Sequence, residues 1–88
     1  MSMAAEGLIS RNVRLRGQIQ GVGFRPFTVR LAKRHGVCGW VRNLGGEVEI
    51  HAEGLPDQIS SFVAGLTSEA PPLARPETPL VSRGPFEH

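Results

Sequence analysis

The chain has 88 residues, 40% hydrophobic and 20% charged, with a formal net charge of +2; that is one domain of ordinary globular composition. So mild a basic excess, with no basic run, argues against nucleic acid as a partner and suits a small anion. Cys38 is the single cysteine, so an internal disulfide is excluded, three scattered histidines leave no zinc-ligand set, and a reducing, cytoplasmic setting fits.

Residues 1–10, MSMAAEGLIS, lack the charged and long apolar regions of a signal peptide and read as a flexible leader. No apolar run nears the roughly 20 residues that span a bilayer, so no membrane partner is expected. The domain is placed at 11–83 and a tail at 84–88. Residues 12–19 alternate, with Val13, Leu15, Gly17 and Ile19 on one face and Arg14, Arg16 and Gln18 on the other, which predicts a half-buried strand. A glycine-rich loop follows. Phe24, Phe27 and Leu31 then recur at helical spacing, with Pro26 at an early helical position and Gly36 as a stop, so a helix is predicted over 25–35.

VCGWVRN at 37–43 is rich in β-formers, LGG at 44–46 is a turn, and EVEIHAE at 47–53 alternates strictly with Val48, Ile50 and Ala52 facing in. Together they predict a hairpin. Ile59, Phe62, Val63 and Leu66 give the spacing of a second helix over 56–68. A last strand is predicted within Leu73 to Ser82, where the prolines require an edge or a bulge. The order β-α-β-β-α-β is that of an α+β, ferredoxin-like sandwich, an antiparallel sheet with two helices on one face. That topology hosts many functions and settles none.

The loop GQIQGVGFRPF at 17–27 carries the chemistry. A glycine turn between strand and helix exposes backbone N–H groups as an anion nest, and the helix N-terminus adds partial positive charge there. Arg25 supplies a fork that fits two phosphate oxygens. Neither the phosphate-loop Lys-Ser/Thr pair nor the dinucleotide glycine spacing is present. Spacing alone leaves two readings open, an anion cradle or a tight connection with a solvated charge. Asn43, in GWVRN at 39–43, either holds a water through its side-chain amide or starts the hairpin turn.

His35 reads as a partner of the helix C-terminal dipole, and His51 as a residue on a solvated strand face with Glu49 and Glu53. Cys38 reads as a small core or interface residue and Trp40 as a packing residue. With no Tyr and Trp40 alone on its face, stacking on RNA is not supported.

GQIQGVGFR at 17–25 followed by GWVRN at 39–43 resembles the two signature segments of the acylphosphatase family, in agreement over roughly residues 11–82. The resemblance implies a metal-independent hydrolase of acyl phosphates with no organic cofactor. Residue by residue, it implies that Gln20, Gly21, Val22, Gly23, Phe24 and Arg25 bind phosphate and that Arg25 and Asn43 are the catalytic pair, Asn43 positioning the water. FRPF at 24–27 and PPLAR at 71–75 are similar to the N-terminal acylphosphatase-like domain of HypF-type hydrogenase maturation carbamoyltransferases. That likeness implies carbamoyl phosphate as substrate and the remaining domains of a larger maturation protein as partners, or a non-catalytic phosphate-binding module. The family usually closes with a further short alternating strand. Here the sequence stops at GPFEH, so one sheet margin is expected to lie unpaired or to pair elsewhere.

Overall fold

The computed structural model describes residues 7–19 and 23–85. Its elements are β1 (Ile9–Leu15), β2 (Gly17–Gln18), α1 (Phe24–His35), β3 (Cys38–Leu44), β4 (Glu47–Gly54), α2 (Pro56–Ser68), β5 (Arg75–Pro76) and β6 (Leu80–Arg83). Strands β3, β4, β1 and β6 form one antiparallel sheet in that order, and β2 pairs β5 in a separate ribbon. Both helices pack on one face of the sheet, which is the ferredoxin-like arrangement expected from the element order.

Alternation builds the core. Val13 and Leu15 of β1 and Val48, Ile50 and Ala52 of β4 point to the helices and are buried. Phe24, Phe27 and Leu31 of α1 and Ile59, Phe62 and Leu66 of α2 close over them. α2 has the bounds that its periodicity predicts. Pro56 sits in its first turn, and the Leu55 N–H donates to Gln58 Oε1 at 2.9 Å, satisfying one of the backbone groups a helix start leaves free.

Two expectations need correction. The alternation of 12–19 predicts one strand, but β1 stops at Leu15 and residues 17–18 turn away to join the ribbon. The backbone at Gly17, φ 115°, breaks the ladder there. The proposed leader and tail also lose residues to the sheet. Ile9 and Ser10 belong to β1, Ser10 Oγ donates to the Pro85 carbonyl at 2.9 Å, and the Gly84 N–H donates to the Ser10 carbonyl at 3.2 Å. The last strand, expected within Leu73 to Ser82, forms as β6 beside β1. Arg11 to Arg14 pair with β6, a strand that starts at Leu80, directly after Pro79, which offers no N–H to a ladder.

Phe62 is fully buried at the centre of this thin core. Phe62→Ala is expected to cost about 3–5 kcal/mol, a large share of the roughly 5–15 kcal/mol that holds a domain together. Urea unfolding followed by circular dichroism would show the midpoint collapse.

Candidate functional site

Strand register assembles the site. Asn43 pairs with Val48, and Val48 pairs with Leu15, so the three lie in one row across β3, β4 and β1. Paired residues share a face, so Asn43 stands on the helix-covered face, at the end of the sheet where β1 finishes. At the other end, Cys38, Glu53 and Ser10 form the matching row. α1 runs back from the Leu15 end to that second row. Its first turn, with Arg25, therefore starts at the end that carries Asn43. Arg25 and Asn43 are both exposed there.

The loop between β1 and α1 is held at each stem. On the β1 side, Gly17 and Gln18 pair with Pro76 and Arg75, and the Glu77 N–H donates to the Arg16 carbonyl at 2.8 Å. A Cβ on Gly17 would collide with the Arg75 carbonyl oxygen, so the strands approach this closely only with glycine. On the α1 side, Gly23 caps the helix in the left-handed region at φ 76°, and its carbonyl accepts the Phe27 N–H at 3.1 Å. The first turn of α1 holds no acidic side chain, which leaves its partial positive charge uncompensated from within the helix.

Of the six residues expected to cradle phosphate, Gly23, Phe24 and Arg25 are placed at this helix start, whereas Gln20, Gly21 and Val22 lie outside the described residues. Phe24 buries its ring against Phe27, with centroids 5.4 Å apart, so its side chain belongs to the core and only its backbone faces the turn.

Sequence reasoning missed Glu47. Its carboxylate is engaged by two guanidinium groups, Arg16 Nε donating to Oε2 at 2.8 Å and Arg14 Nε forming an ion pair with Oε1 at 3.0 Å. The Arg16 hydrogen bond holds the Glu47 carboxyl below the usual carboxylate range, and the same bond raises Arg16 further. The available signal was charge complementarity: Arg14 and Arg16 alternate on the polar side of the 12–19 pattern, and EVE opens the strand that pairs with β1.

The other polar residues sit apart from this end. His51, expected on a solvated face, is only 1% exposed. Its Nδ1 lies 3.1 Å from Asn12 Oδ1 and its Nε2 lies 2.6 Å from Glu53 Oε2, while the Trp40 ring stacks on it at 5.7 Å with Arg42 over the indole. Cys38, expected in a core or interface, is exposed. His35 is in the last turn of α1, and its Nε2 is buried without a hydrogen-bond partner among the described residues.

Comparison with known proteins agrees with the fold. The sequence model of the acylphosphatase family matches residues 11–81. Carbamoyltransferase HypF2 of Cupriavidus necator is 51% identical over 63 residues, which cover 72% of this chain and 8% of that protein. The chain likewise spans 8% of a probable carbamoyltransferase HypF of Methanocaldococcus jannaschii. The acylphosphatase of Salinibacter ruber is 47% identical over 68 residues, covering 76% of this chain and 70% of that one. The solved structure of an acylphosphatase from Coxiella burnetii superposes with a TM-score of 0.90 at 30% identity, over 100% of this chain and 93% of that one.

The depressed Glu47 carboxyl sets a pH dependence. A group whose folded pKa is lowered stabilises the fold above its unfolded pKa, and that contribution is lost as pH falls through the folded value. The stability gap between the native chain and Glu47→Gln is therefore expected to be flat above about pH 5 and to close as acid passes from the ordinary value of 4.5 downward. Urea midpoints of the two proteins across that range check it.

Proposed function

Because this chain belongs to the acylphosphatase family, we propose that it hydrolyses the carboxyl–phosphate bond of small acyl phosphates at the Leu15 end of its sheet, with carbamoyl phosphate as the natural substrate. The observation that carries the proposal is the row Asn43–Val48–Leu15, which puts Asn43 at the same end of the sheet as the strand end that feeds the glycine loop and Arg25.

An acyl phosphate is a mixed anhydride with a carboxylate or carbamate as leaving group. So good a leaving group needs no strong general acid. The protein has to hold the phosphoryl oxygens, orient a water for in-line attack and stabilise the charge that spreads over the equatorial oxygens. Arg25 and the backbone N–H groups of the 20–25 loop supply the electrostatic part. The amide of Asn43 holds the attacking water, and a phosphate oxygen of the substrate itself accepts the proton that this water loses. The products are the free acid, or carbamate, and inorganic phosphate.

The choice of carbamoyl phosphate rests on the likeness to the HypF carbamoyltransferases, of which this chain matches one small portion. The same likeness supports work in hydrogenase maturation beside the other domains of such a protein. It also favours a second reading, a non-catalytic phosphate-binding module. Turnover separates the two, since a module binds orthophosphate but releases none from an acyl phosphate.

Steady-state hydrolysis of benzoyl phosphate and of carbamoyl phosphate tests the assignment. Arg25→Ala is expected to lose turnover on the order of 10²–10³-fold, with phosphate inhibition abolished. Asn43→Ala is expected to lower kcat by a comparable factor while KM changes by less than about threefold. Near-normal turnover in Asn43→Ala would remove its water-positioning role.

A further inference from the structure

We propose that Glu47 is a positioning residue for the reaction, locking the stem of the phosphate loop to the hairpin that carries Asn43. This inference rests on the reading of the site given above and extends it to a residue that contacts neither phosphate nor water.

Glu47 opens β4, immediately before Val48, the pairing partner of Asn43. Its own partner across the hairpin is Leu44, next in sequence to Asn43. Its side chain is only 11% exposed, although the two arginines that reach it are 53% and 67% exposed. Each carboxylate oxygen faces a different guanidinium, Arg16 through a hydrogen bond and Arg14 through an ion pair.

Arg16 is the residue through which this fixation reaches the loop. It stands between Leu15, the last residue of β1, and Gly17, the first of β2. Its carbonyl is tied to the Glu77 N–H and its side chain to Glu47. The start of the loop is thus pinned by its backbone to the 75–77 segment and by its side chain to the hairpin. Displacing the loop stem relative to Asn43 breaks at least one of these bonds. Ion pairs with exposed partners add little to stability, because both side chains lose freedom and water screens the charges. A pair that is weak as a stabiliser but joins the two halves of a site is placed to set distance. Where rate depends on the distance from a held phosphoryl group to an oriented water, that distance is the sensitive quantity.

The test compares the native chain, Glu47→Gln, Arg16→Ala, the double variant and the charge-exchanged pair Arg16→Glu with Glu47→Arg. Benzoyl phosphate hydrolysis, inhibition by orthophosphate and the urea midpoint are measured for each. Glu47→Gln is expected to lower kcat on the order of tenfold, short of the roughly 10²-fold that follows a 1 Å misplacement of a reacting group, and to raise the phosphate inhibition constant by about threefold. Arg16→Ala is expected to match it, the double variant to be no worse than either, and the charge exchange to recover part of the loss. A purely structural role would lower the midpoint and leave both constants within twofold of native, and that result overturns the proposal. If Glu47→Gln fails to fold, the same constants in Arg16→Ala decide in the same way. Should Arg25→Ala keep native turnover, the site reading itself falls and this inference with it. Loss of turnover in Arg25→Ala with native constants in Glu47→Gln sinks the inference alone.

Discussion

The ladder between β1 and β4 is the constraint on which the rest of the molecule depends. Seven consecutive pairs, from Ile9 with Gly54 to Leu15 with Val48, fix one register. A slip by one residue would turn Val13, Leu15, Val48 and Ile50 out to water and bring Arg14 and Glu49 into the core. Because the core enforces the register so strongly, it also determines what stands at the sheet end. The row through Leu15 brings the loop start and the hairpin asparagine to one place, although 28 positions separate residues 15 and 43 in the sequence. Burial of apolar side chains thus supplies the long-range order, and the polar site inherits it.

The face of the sheet away from the helices is organised by polar contacts. Arg42 meets Glu49, Arg14 and Arg16 meet Glu47, and His51 lies among Asn12, Glu53 and the Trp40 ring. Opposite charges on neighbouring strands of this face neutralise one another. His51 is tolerated in a buried position because both ring nitrogens have polar neighbours within hydrogen-bonding distance. A Trp stacked on it supplies the cover that helices provide on the other face.

Much of the fold was legible in the sequence, and the failures have physical causes. The hairpin and α2 follow from alternation and from the 3.6-residue period, both local signals. The end of β1 was not legible from alternation, because Gly17 keeps the pattern while its backbone leaves the sheet; what turns it is pairing with Arg75 and Pro76, nearly sixty residues away. The burial of His51 depends on Trp40 from the neighbouring strand, and the coupling of Glu47 to Arg16 on two strands coming together; neither is visible within one segment. Of the candidate site, Arg25 and Asn43 were named from motif resemblance, and their placement at one end follows from topology once the strand order is known. Glu47 was readable only as half of an alternating acidic strand. Its two partners become apparent when β1 is laid beside it.

The distribution of these interactions fits the demands of the proposed reaction. A labile anhydride places little burden on acid–base groups and a heavy one on geometry. The described part of the site agrees with that division. The carboxylate of Glu47 at the Leu15 end is committed to Arg14 and Arg16 rather than aimed at a reacting centre. The loop stems, by contrast, are fixed by several independent means: a two-residue ribbon, a backbone bond to Arg16, an ion pair, and a glycine cap on α1. Fixing both stems sets where the loop begins and ends before an anion binds, and so lowers the entropy lost on binding. In a domain whose core is too small to hold a large site rigid, anchoring the ends of a short loop is an economical route to a fixed oxyanion position.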